Sequence, residues 1–189
     1  MRIFVDADAC PVKEEVYRVA GRYGLPVFVV SNAFIMVPAE PLIERVIVDA
    51  GPDVADDWIA ERAGPADIVV TADMPLASRC LKAGSTVLSP KGTPFDEASI
   101  GMALAGREIA EHLRSFGQIT GGPKPFAPAD RSRFLQALDQ AVNRIRRRRS
   151  ALCRRWDKSA RVGTGSFGPW PKAPSSMPCA ASMRTSRAS

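Results

Sequence analysis

Three clusters of aspartate are the residues whose type and spacing could do chemistry in this chain. Asp6-Ala7-Asp8 follows the apolar run Ile3-Phe4-Val5, and because strand side chains alternate, Asp6 and Asp8 point to one side where the strand runs out. Asp53, Asp56 and Asp57 lie in Gly51-Pro52-Asp53-Val54-Ala55-Asp56-Asp57-Trp58-Ile59. Spacings of three and four place them on one face of a helix's first turns, and Trp58 and Ile59 begin its buried side. Asp73 sits in Val69-Val70-Thr71-Ala72-Asp73-Met74-Pro75-Leu76-Ala77. There a β-branched run from Ile68 reads as a buried strand, Thr71-Ala72 closes it, and Asp73 caps a helix with Pro75 in its opening turn.

Strand-to-helix corners of an open parallel sheet lie at the carboxyl ends of the strands, where sites form. Carboxylates converging there repel one another unless they are protonated or share a cation. Hard oxygen donors completed by water suit Mg²⁺ or Mn²⁺ rather than zinc. Metal-activated attack of water on a phosphodiester needs only carboxylates, the metal and a cation for the leaving charge. The expected catalytic residues are Asp6, Asp8, Asp56 and Asp73, with a divalent cation held by these and Asp57. Each acid also has a plain structural use: Asp53, Asp73 and Asp96 are ordinary helix caps, and Asp56-Asp57 fits a solvated first turn favoured by the helix dipole. It is the coincidence of three clusters at strand ends that favours a site.

Candidates for holding substrate are Lys13, Arg79, Lys91 and Arg107 as phosphate cations, with Asn32 and Thr71 as hydrogen-bonding groups at strand ends. Each has a surface or turn-capping alternative. The sole histidine, His112, falls late in a long helix, so histidine-based acid-base chemistry is not expected. Cys10 stands beside Asp8 without a histidine near in sequence to activate it, and reads as a small buried residue.

The elements that must position these groups alternate. Strands are expected at residues 2–6, 27–30, 46–48, 68–71 and 86–88. Helices are expected at about 11–23, with Val12, Val16, Val19 and Ala20 facing the core, and at 53–63, 74–82, 96–113 and 131–146. Residues 34–41, with two prolines, read as a loop or edge piece. The pattern predicts an α/β fold: a single domain with a mostly parallel central sheet of about five strands flanked by helices.

Length supports one sizeable core, placed at residues 1–148, with a basic low-complexity tail at 149–189. The net charge of +6 is misleading as a whole. Residues 144–189 hold 12 of the 26 Lys and Arg and one of the 20 acids, so the remaining 14 cations and 19 acids leave residues 1–143 near −5. A broad basic surface for nucleic acid is therefore excluded for the body. Of the last 46 residues, 31 are Arg, Ser, Ala, Pro or Gly, a composition that reads as disorder or an out-of-frame stretch ahead of a nucleic-acid arm. The early carboxylate at Asp6 argues against a signal peptide and no apolar run approaches a membrane span; four scattered cysteines without a CxxC pair suit reduced thiols, so a cytoplasmic location is expected.

Asp6-Ala7-Asp8-Ala9-Cys10-Pro11-Val12-Lys13, Gly51-Pro52-Asp53-Val54-Ala55-Asp56, Thr71-Ala72-Asp73-Met74-Pro75-Leu76-Ala77 and Thr120-Gly121-Gly122-Pro123 with Phe126 resemble, in order, the YaiI/YqxD family of bacterial proteins over about residues 1–145. The resemblance implies a fold like that of the PIN-like nucleases, in which acids at the carboxyl ends of parallel strands bind Mg²⁺ or Mn²⁺. The expectation is a metal-dependent nuclease with RNA favoured over DNA as partner, or a catalytically degenerate nucleic-acid-binding protein. Two other readings stay open. A haloacid-dehalogenase-like phosphatase would use Asp6, Asp8, Thr71 and Lys91, although its second acidic pair should follow the lysine and Asp56-Asp57 precedes it. A receiver-like phospho-acceptor module would use Asp6 and Asp8 with Asp49 as acceptor, and would leave Asp73 without a role.

Overall fold

The computed structural model describes residues 1–8, 10–51, 53–101 and 126–162, with side chains as far as residue 151. Five strands and four helices are bounded within it: β1 (Ile3–Asp6), α1 (Lys13–Tyr23), β2 (Val27–Ser31), β3 (Ile43–Ile47), α2 (Val54–Arg62), β4 (Ile68–Val70), α3 (Met74–Lys82), β5 (Thr86–Leu88) and α4 (Pro128–Val162). All four strand pairs are parallel, in the order β3-β2-β1-β4-β5. The chain winds outward from β1 through β2 to β3, then returns to β1's other side for β4. The reversal makes β1 and β4 the switch point of the sheet, whose carboxyl-end crevice is where an open α/β sheet offers a site.

Register assigns the two faces. Phe4, Phe28, Glu44, Val69 and Val87 lie in one row across the sheet, and Asp6 shares their side of β1. Phe4, Val30, Val69 and Val87 pack on that face with Ile59 and Ala63 of α2 and Leu76, Ala77 and Cys80 of α3. Burial of each large aliphatic or aromatic side chain here contributes about 1.5–3 kcal/mol. The expected stripe of α1, namely Val12, Val16, Val19 and Ala20, is buried throughout. α1 is tied to α4 by two polar locks: Arg131 Nη1 donates to both Glu15 carboxylate oxygens at 3.0 and 3.1 Å, and Asp139 accepts from the Tyr23 hydroxyl at 2.8 Å and from Arg22 at 3.2 Å.

Three elements differ from the sequence reading by two residues or more. β3 starts at Ile43, not Val46, because an edge strand needs only backbone pairing with β2 and tolerates the exposed Glu44 and Arg45 that interrupt its apolar pattern. α1 starts at Lys13, with no side-chain cap at Val12. α4 runs on to Val162 rather than ending near Arg146. The chain forms two compact units, Met1–Asn143 and Arg144–Ser189. The first unit holds the whole sheet. Among the described residues no helix is long and apolar enough to cross a membrane.

Candidate functional site

Asp6 is the last residue of β1, and its side chain is 7% exposed. The fully buried Thr71, directly after β4, donates its hydroxyl to Asp6 Oδ2 at 2.9 Å. The same hydroxyl oxygen accepts the Asp73 N–H at 2.9 Å. Asp73 then caps α3 as its sequence implies: Oδ2 accepts the Leu76 N–H at 2.9 Å, and Pro75 occupies the opening turn. One threonine therefore joins the carboxyl ends of both switch-point strands, and the Thr71 hydroxyl is engaged inside the protein rather than presented to substrate.

Asp56 is half-buried in the first turn of α2. Burial pushes its carboxyl up to about 6, and the negative charges of Asp6, Asp73 and Asp53 add to the rise while Arg79 opposes it. Asp6 is raised for the same first reason, with Asp8 and Asp73 adding and the Thr71 hydrogen bond countering. Asp6, Asp56 and Asp73 thus act on one another electrostatically, with the exposed Asp8 at the rim. Asp53, just before α2, does not cap it: its side chain makes no cap hydrogen bond and its backbone sits at φ 60°. It is the only non-glycine residue with positive φ among the described residues, and such strain, of order 1 kcal/mol or more, is found preferentially at functional loops.

Asp57 pairs with Arg79 of α3 at 2.7 Å, so a residue expected to ligate metal and one expected to hold substrate are joined to each other. Lys13 Nζ donates to the Ala7 carbonyl at 3.0 Å, tying the start of α1 to the exit of β1. Asn32 is exposed past the end of β2, and Lys91 is half-buried past the end of β5, one strand beyond β4. Arg107 and His112 lie outside the described residues. Cys10 is buried, as expected, and burial pushes its thiol up to about 11.

Among the described residues no three acidic, histidine or cysteine side chains are drawn together closely enough to form a ready-made metal cage. The acids that influence one another, Asp6, Asp56 and Asp73, offer only carboxylate oxygens. They suit a cation that keeps most of its waters and takes one or two protein carboxylates, the habit of Mg²⁺.

A parallel α/β fold with carboxylates at the carboxyl ends of its switch-point strands is the class that these features define. The chain belongs to the YaiI/YqxD family, matching over residues 4–144 the family described as "Uncharacterized BCR, YaiI/YqxD family". A UPF0178 protein of Rhodopseudomonas palustris strain BisB5 is 65% identical over 150 residues, covering 79% of this chain and 92% of the relative. A UPF0178 protein of Bradyrhizobium diazoefficiens is 64% identical over 148 residues, covering 78% and 89%. One from Caulobacter sp. strain K31 is 65% identical over 145 residues, covering 77% and 96%. No solved structure matches the chain.

Proposed function

We propose that the crevice between β1 and β4 carries out metal-assisted hydrolysis of a phosphodiester, in the manner of a PIN-like nuclease, with RNA the first substrate to test. The observation that carries the reading is the mutual influence of Asp6, Asp56 and Asp73 at the switch point, where burial and like charge raise the first two. Asp6 and Asp73, with Asp8 at the rim, are the residues to hold Mg²⁺ or Mn²⁺. When bound, the cation supplies Lewis acidity at the phosphate and a more acidic water.

In the reaction the water oxygen attacks phosphorus and the bond from phosphorus to the leaving oxygen breaks. The water's proton passes to the Asp56 carboxylate, whose affinity near neutral pH suits a general base. Solvent returns a proton to the leaving oxygen. Arg79, held by Asp57, sets positive charge beside Asp56, where the phosphate's charge builds up. A cytoplasmic setting belongs to this reading and accords with the buried free thiols of Cys10 and Cys80. The receiver-like scheme is less well served: Asp49 follows edge strand β3, with β2 between it and β1.

The test is cleavage of single-stranded RNA and of DNA with and without Mn²⁺, comparing wild type with Asp73→Asn. Loss of cleavage in the variant supports the reading. Equal cleavage in both proteins sinks it, and metal-dependent binding with no cleavage by either leaves a protein that binds nucleic acid without cutting it.

A further inference from the structure

We infer that the arginine-rich second half of α4, residues 144–162, is a docking surface for the phosphate backbone of a nucleic acid strand. Composition alone reads as disorder past residue 149, whereas the helix continues to Val162. Residues 144–162 carry nine Lys and Arg against one acid, Asp157. Arg144, Arg147 and Arg148 are exposed, and Ile145 between them is buried. Helical positions three and four apart share a face, so these three arginines stand on one stripe. Through Ala151 the same spacing reaches Arg154, Arg155, Lys158 and Arg161.

Charge and length narrow the partner. Like charges at those spacings repel one another along a helix, and a polyanion laid against the stripe relieves the repulsion. At about 1.5 Å per residue the stripe from Arg144 to Arg161 is about 25 Å long. At about 3.4 Å per phosphate, that length faces about seven phosphates of one strand, a match to its seven cations. An anionic lipid surface is the rival, and it would also need a broad apolar face on the helix. Besides the buried Ile145, the segment has only Leu152, Trp156 and Val162 as large apolar residues, too few to anchor it in lipid. Residues 1–143, near −5, repel a polyanion, so the stripe supplies the attraction that they lack.

The docking surface does not depend on the hydrolase reading and is tested apart from it, in EDTA, where cleavage cannot contribute. The full chain is titrated against a fluorescently labelled oligo-uridylate strand over a series of salt concentrations. Affinity of the wild type should fall with salt, with a log–log slope of about −0.7 for each cation engaged. Arg147→Gln, Arg148→Gln, Arg154→Gln and Arg155→Gln combined should weaken binding about tenfold or more at low salt and flatten the slope by about 3. The same four positions changed to Lys should keep the wild-type slope. Gln and Lys are both good helix formers, and far-ultraviolet circular dichroism verifies that the helix is kept. Equal affinity and slope in the wild type and the Gln variant, or no strand binding at low salt, overturns the docking surface. So does tighter binding to vesicles of phosphatidylserine and phosphatidylcholine than to the strand, which would make lipid the partner. Salt-dependent strand binding that the Gln variant loses, together with failed cleavage in Mn²⁺, would sink the hydrolase reading and leave the docking surface standing.

Discussion

The Thr71 hydroxyl donates to Asp6 across the switch point of the sheet at 2.9 Å, and it does so while accepting the Asp73 N–H. Removing that hydroxyl leaves a buried carboxylate short of a donor and a backbone N–H short of an acceptor. Thr71→Val is nearly isosteric, so the expected loss is that of unmet hydrogen bonds, about 1–3 kcal/mol. Thr71→Ser should recover most of it. Chemical denaturation of the three proteins checks this; an unchanged midpoint in Thr71→Val would show that the hydroxyl contributes nothing to holding the crevice together.

Asp56 gives the protein an unusual pH response. Its folded carboxyl, raised to about 6 from 3.8, favours the protonated form in the folded state. The stability this group contributes is fully present below its unfolded value and is lost as pH rises through about 6. Asp6, also raised, acts in the same direction. Thermal midpoints of the wild type should therefore lose ground between about pH 5 and pH 7.5 relative to Asp56→Asn, and the variant should be the more stable protein at the higher pH. A variant destabilised equally at both would contradict the upward shift of the Asp56 carboxyl.

Glu15 is 6% exposed and meets the half-exposed Arg131 through two hydrogen bonds between α1 and α4. Arg131→Met should cost about 1–3 kcal/mol by stranding a buried charge. Adding Glu15→Leu should return most of the loss, because replacing both partners removes the stranded group. Non-additivity in this double-mutant cycle is the measurement, and strict additivity would mean that the pair is not coupled.

Gly92 sits at φ 81°, and a Cβ there would meet the backbone of Arg133 and Phe134 at 2.7–2.9 Å. Gly92→Ala must accept a left-handed conformation costing about 1–2 kcal/mol and also push α4 away from the turn after β5. Its denaturation midpoint should drop clearly below that of Gly21→Ala, where no atom lies within 4 Å of the new methyl group. Equal midpoints would show that the turn gives way freely.

Much of this architecture was legible in the sequence because the buried strands are short β-branched runs and the helices carry familiar ends. Asp73 shows the case: an aspartate two residues before a proline and three residues past the end of an apolar strand caps α3 as expected. Asp57 shows the limit. Its pairing with Arg79 joins two helices separated by a strand, and no local spacing encodes how α2 and α3 meet. The role of Thr71 was hidden for a related reason. It depends on the register that sets Val5 beside Val70, a property of the pairing of β1 with β4 rather than of either segment. β3 was read short because Glu44 and Arg45 break its pattern, and the same exposure leaves Arg45 free to lie over Phe34.

The central claim is that the acids at the switch point take up a divalent cation, and a Mn²⁺ titration followed by electron paramagnetic resonance tests it most directly. The wild type should bind one Mn²⁺ that excess Mg²⁺ displaces. Asp6→Asn and Asp73→Asn should each weaken that binding about tenfold or more, as loss of a charged oxygen ligand requires. Mn²⁺ binding that is absent at millimolar concentration, or equal in the wild type and both variants, would contradict the account.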